Sequence, residues 1–166
     1  MIDGLFTIQS PAGVGGHRLV GLTVNESGGH TKEMNIVQIL LVDDYAMMRQ
    51  GLRSVLDDYE DIQVVGEARD GLEAVQLVGE LRPQVVLMDI NMPKLNGIEA
   101  TAKIMQKYPE TIIIGLSVNA TKDNREAMTR AGAFRLLSKE VAVEQLHDAV
   151  YAAVSERDST ITPPEL

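Results

Sequence analysis

Val85-Val86-Leu87-Met88-Asp89 is an unbroken apolar run that stops on a carboxylate. So short a run suits a strand better than a helix. Lacking polar alternation, it reads as a strand covered on both faces, as in parallel sheets flanked by helices. Three more runs repeat the arrangement. Ile39-Leu40-Leu41-Val42 leads into Asp43-Asp44, Ile112-Ile113-Ile114-Gly115-Leu116 into Ser117, and Leu136-Leu137-Ser138 into Lys139. In an open parallel α/β sheet, ligands bind beyond the carboxyl ends of the strands. These strands would bring three carboxylates, a hydroxyl and an ammonium to one edge. That set suits a divalent cation and a phosphoryl group.

Helical spacing fills the gaps between the runs. Met48, Leu52, Val55, Leu56 and Tyr59 mark a first helix, and Ala74, Val75, Val78 and Leu81 a second. Asn96 is placed to cap a third, carrying Ile98, Ala102 and Met105. A more polar helix spans Thr121–Ala131 and is closed by Gly132, and Leu146, Ala149, Val150, Ala153 and Val154 form the stripe of a fifth. Gln63–Ala68 and Phe134–Ser138 complete five strands. Residues 36–155 thus read as five strand–helix units in a doubly wound parallel sheet. Residues 1–24 form an N-terminal extension, 25–35 a linker and 156–166 a C-terminal tail, frayed or extended from Ser159 onward.

Bulk composition narrows the classes. The chain has 166 residues, of which 45% are hydrophobic, enough for one core plus an appendage. Its net charge of −9 argues against nucleic-acid or anionic-lipid binding through bulk electrostatics. The apolar runs are far too short to span a bilayer, and the start lacks a signal-peptide pattern. Cysteine is absent, so thiol chemistry is excluded and a cytoplasmic setting is expected. His17, His30 and His147 are expected in solvent, and the eight methionines are read as core filler.

The motifs along residues 36–155 closely resemble the receiver domain of two-component response regulators. An acidic pair follows the first strand. Asp89-Ile90-Asn91-Met92-Pro93-Lys94-Leu95-Asn96-Gly97 fits the family's D-x-x-M-P-x-x-x-G pattern. Ser117-Val118-Asn119-Ala120 fits the hydroxyl position after strand four, and Ala131-Gly132-Ala133 followed by Lys139-Glu140 fits the fifth-strand region. Any one of these alone is weak; four in order on the expected elements are specific. The resemblance implies a flavodoxin-like strand order 2-1-3-4-5.

The resemblance also implies a chemistry. Asp89 is the phosphoacceptor and receives a phosphoryl group from a phosphohistidine on a sensor histidine kinase or histidine phosphotransfer protein. Asp44 and Asp89 hold Mg²⁺ through carboxylate oxygens, the backbone carbonyl of Asn91 adds a ligand, and Asp43 acts through water. Lys139 pairs with a phosphate oxygen and Ser117 donates to another. Gly97 is read as a position of close helix packing.

The chain departs from the family in places. Many receivers carry Tyr or Phe three residues before the lysine as a rotameric switch; here that residue is Leu136. Phe134, two residues earlier, is expected on the same side of the strand as a partial substitute. Leu5 to Val24 reads as a hairpin resembling the last strands of a histidine-kinase ATP-binding domain, which points to the C-terminal receiver of a hybrid sensor kinase. The rival is a standalone single-domain regulator. A transcription factor requires an output domain that these residues do not contain. A metal-dependent phosphatase of similar topology would want an acid where Asn91 stands.

Overall fold

The computed structural model describes residues 21–25 and 31–161. Its main body is a five-stranded parallel sheet of β3 (Val37–Val42), β4 (Ile62–Ala68), β5 (Val85–Asp89), β6 (Ile112–Ser117) and β7 (Arg135–Ser138). Their order is β4-β3-β5-β6-β7. Counted over these five strands, that is the expected 2-1-3-4-5. The helices are α1 (Ala46–Asp57), α2 (Gly71–Leu81), α3 (Gly97–Lys107), α4 (Lys122–Ala131) and α5 (Lys139–Ile161).

Alternation along the strands splits the core in two. Ile39, Leu41, Val85, Leu87, Ile112 and Ile114 pack with Leu52 and Leu56 of α1 and Leu146 and Val150 of α5. Leu40, Val42, Val86, Met88 and Ile113 pack with Ala74 and Val78 of α2, Ala100 and Ile104 of α3 and Met128 of α4. The sheet is therefore covered on both faces, which explains why its strands are apolar without interruption. Asn96 caps α3 by accepting from the Glu99 amide, and Gly132 ends α4 in the left-handed conformation.

Several expectations are corrected. Residues 31–35, read as linker, are a strand. β2 (Thr31–Asn35) pairs antiparallel with β1 (Gly21–Asn25) in a separate two-stranded sheet. Cross-strand pairing here overrides a weak local preference. Apart from residues 21–24, the hairpin expected over 5–24 lies outside the described residues. The tail expected from 156 is helical as far as Ile161, because α5 runs for 23 residues. Arg157 donates to the carbonyl of Pro109, and Ser159 Oγ to the carbonyl of Ser155. His147 is not free in solvent: it stacks on Tyr59 with ring centroids 3.9 Å apart and leans on Tyr151. Among the methionines, Met88, Met92 and Met128 are buried as expected, but Met47 is 83% exposed.

Candidate functional site

The site forms where the central strands β3 and β5 end side by side. Beyond Val42 the chain leaves the sheet, and the Asp43 amide still donates to the Ala68 carbonyl at 3.1 Å. Asp43 is completely buried. Its Oδ1 accepts from the Tyr45 amide at 2.8 Å and its Oδ2 from Lys139 Nζ at 2.6 Å. Asp44, the next residue, is exposed.

Asp89 is the last residue of β5 and is only 3% exposed. Its Oδ1 lies 3.1 Å from Lys139 Nζ. Gly97 presses on the same residue: a Cβ built there would fall 2.0 Å from the Asp89 carbonyl oxygen. The packing role expected for Gly97 is thus a direct contact with the proposed acceptor's backbone. Burial pushes the Asp89 carboxyl above its ordinary value. The Lys139 charge opposes that shift, the Asp43 charge adds to it, and a bond from the Asn91 amide opposes it. For Lys139, burial alone would favour the neutral amine. The hydrogen bond to Asp43 and the charges of Asp89 and Asp43 outweigh it and hold the ammonium above its usual range.

Asp43, Asp44 and Asp89 each offer an oxygen, and these oxygens lie within 4.8 Å of one another. At that separation two carboxylates repel by roughly 3 kcal/mol at an effective dielectric of ~20. Lys139 offsets one charge of the three, so these four side chains carry −2. Hard oxygen donors with a deficit of two positive charges fit Mg²⁺, which takes few protein ligands and keeps waters for exchange with phosphate oxygens.

Ser117 ends β6 beside β5 and is fully buried. Its Oγ accepts from the Asn119 amide at 3.1 Å, so the hydroxyl is held in its own turn. Leu136 is buried among the residues of the α2, α3 and α4 face. Phe134 does not share that side as expected: it packs against the α1 and α5 face. It precedes β7, which starts at Arg135, so the two-residue strand repeat does not extend back to it.

Three groups around the site escaped the sequence reading. Arg49 on α1 donates to the Asp43 carbonyl. Asp70 caps α2 and takes Lys94 Nζ at 2.6 Å, tying the loop after Asp89 to α2. Lys94 itself has a positive φ of 66°. Arg125 on α4 donates to the carbonyls of Ala120 and Leu136. All three act on loop geometry, to which hydrophobic periodicity is blind. The available signal was charge on the first turns of α1 and α4, at positions facing back toward the strand ends.

The response regulator receiver domain profile matches residues 39–151. The chain belongs to this family. It is a receiver domain of two-component signalling. Over 116 residues it is 38% identical to the transcriptional regulatory protein DegU of Brevibacillus brevis, covering 70% of this chain and 49% of that protein. It is 44% identical over 108 residues to a protein-glutamate methylesterase/protein-glutamine glutaminase of Thermotoga maritima, covering 63% of this chain and 30% of that one. The crystal structure of the response regulator domain of Thermotoga maritima CheB superposes with a TM-score of 0.68 at 34% identity, covering 77% of this receiver and 99% of that chain. The receiver spans half or less of the length of these two curated relatives. Among the described residues no helix is long and apolar enough to cross a membrane.

Proposed function

We propose that this receiver accepts a phosphoryl group on Asp89 from a phosphohistidine of a sensor histidine kinase or phosphotransfer protein. The observation that carries the reading is the buried Asp89 carboxylate, beside Lys139 Nζ and within 4.8 Å of oxygens from Asp43 and Asp44. Asp89 and Asp44 would hold Mg²⁺, with the Asn91 carbonyl as a further ligand and Asp43 behind. The cation would neutralise charge on the incoming phosphoryl group. An Asp89 oxygen bonds to phosphorus as the phosphorus–nitrogen bond breaks, and the electron pair leaves with the imidazole. Lys139 can turn from Asp43 toward a phosphoryl oxygen, as a compact charge on a flexible stem. Ser117 Oγ accepts from the Asn119 amide and keeps its own O–H to donate to another. Tyr45, Met47, Leu72 and Val118 are 72%, 83%, 55% and 63% exposed. All four follow carboxyl ends of strands, so they supply apolar area where a donor protein would dock.

Incubation with acetyl phosphate and Mg²⁺ should add one acid-stable, base-labile phosphate, and Asp89→Asn should take none. Undiminished labelling of Asp89→Asn would remove the assignment.

What the receiver is joined to is a separate matter. The resemblance of residues 5–24 to a kinase ATP-binding domain supports a hybrid sensor kinase in the cytoplasm. The similarity to transcriptional regulators, of which the chain spans about half in DegU, supports an attached output domain instead. Reading the coding region on both sides decides between these and a standalone regulator.

A further inference from the structure

Arg49 makes two directed bonds beside the acidic site. Its Nη1 donates to the Asp43 carbonyl at 2.6 Å, and its Nε donates to Glu67 Oε2 at 2.9 Å. The side chain is 16% exposed. Glu67, on β4, takes Arg53 Nε on its other oxygen at 2.8 Å. The bonds from Arg53 and Arg49 hold the Glu67 carboxyl below its ordinary value, so this acid is charged whenever the site is in use.

The placement needs a reason. A cation beside three carboxylates repels a second cation, and a site meant to attract Mg²⁺ gains nothing from it. Glu67, bound by both Arg49 and Arg53, offsets one of their two charges and aims the planar Arg49 fork, which is rigid and directional. The carbonyl it grips lies in the peptide plane between Asp43 and Asp44. Fixing that plane sets the direction in which Asp44 departs. The other polar groups of Asp43 are already committed, to Ala68, Tyr45 and Lys139. Beyond the end of β3, Arg49 is the group that orients this carbonyl.

We infer that Arg49, aimed by Glu67, is a positioning residue for Mg²⁺-dependent phosphorylation: it locks the Asp43–Asp44 peptide so that the Asp44 carboxylate faces Asp89. The inference rests on the phosphoacceptor reading above. Groups that orient metal ligands are worth roughly 10-fold or more in metal affinity.

The test turns on a sign. Mg²⁺ affinity is measured by calorimetry on the full chain, well below each variant's melting temperature, alongside labelling of Asp89 by acetyl phosphate. If Arg49 acted only as a charge, Arg49→Gln would bind Mg²⁺ more tightly and Arg49→Lys would bind it as before. Positioning requires the opposite: both variants should bind Mg²⁺ roughly 10-fold more weakly. Arg53→Gln removes an equal charge from the other side of Glu67 without touching Asp43, and should stay close to the wild type. Should Arg49→Gln not fold, Arg49→Lys alone separates the two roles. Affinity unchanged or increased in a folded Arg49 variant, with wild-type labelling intact, overturns the inference alone. Absence of labelling in the wild type overturns the underlying reading and the inference with it.

Discussion

The β3–α1 and β6–α4 loops flank Asp89, and each is held by an arginine on a backbone carbonyl. Arg49 is largely buried, shares the Glu67 carboxylate with Arg53, and grips Asp43. Arg125 is exposed, its two bonds go to the carbonyls of Ala120 and Leu136, and no acid aims it in the hydrogen bonds it makes. The buried polar groups show the same contrast. Asp43 bonds to a distant lysine and to β4 through its amide, whereas the Ser117 oxygen accepts, among the described residues, from the Asn119 amide of its own turn. Besides its own α1 arginine, the first loop is tied to Ala68 and Lys139, whereas the second is held by an α4 arginine that also takes a β7 carbonyl. Segments held by few buried contacts open at low cost and are the ones from which moving parts are drawn. The difference teaches that, on the proposed reading, the cation side of the site is preset and the hydroxyl side is where a phosphoryl group would be felt.

The harshest challenge to the braced half is Gly97→Ala. A methyl group there would fall on the Asp89 carbonyl, and backbone on both sides leaves little room to yield. The variant should lose about 3 kcal/mol of stability in urea denaturation and should label poorly at Asp89. A neutral effect would mean that α3 can slide away from the acceptor and that the brace is slack.

Asp44→Ala comes next. It removes a charge from the cluster while leaving the buried Asp43–Lys139 pair in place. Mg²⁺ affinity should fall on the order of 10-fold, read by titration. An unchanged affinity would shift the cation away from the preset loop and break the comparison at its root.

A smaller effect tests the tie between α2 and the loop after Asp89. The bond from Lys94, and then that from the Glu73 amide, holds the Asp70 carboxyl below its ordinary value. A depressed carboxylate stabilises the fold above its unfolded value, and the contribution is lost as pH falls through the folded value. Asp70→Asn should cost about 1 kcal/mol near neutrality. The two melting curves should converge once pH drops below the aspartate range. A gap that persists in acid would assign the loss to the helix cap rather than to the ion pair.

The sheet was legible because its strands are apolar throughout and end on polar residues. The same reading placed Asp89, Asp43 and Lys139 together, since each follows a run whose length fixes where the strand must stop. Phe134 was misplaced because two-residue alternation was carried one residue past the start of β7. The α5 tail was cut short because Pro163-Pro164 drew the boundary too far back, although Glu156 to Ile161 contains no helix breaker. Arg49 and Arg125 left no trace in periodicity, because what they do depends on backbone carbonyls that no side-chain pattern reports.

The claim that one loop is preset and the other yields is tested most directly by amide chemical shifts on adding beryllofluoride and Mg²⁺ to the wild type. Shifts around Asp44, Asp89, Ser117 and Lys139 should be large. Backbone dynamics and hydrogen exchange should change at Val118–Thr121 and stay nearly constant along Asp43–Arg53. Leu136 carries no hydroxyl to exchange between water and a buried partner, so Val143–Val154 should move little. Equally large changes of backbone dynamics and hydrogen exchange along Asp43–Arg53 with large shifts throughout Val143–Val154, or the same pattern in Asp89→Asn, would contradict the account.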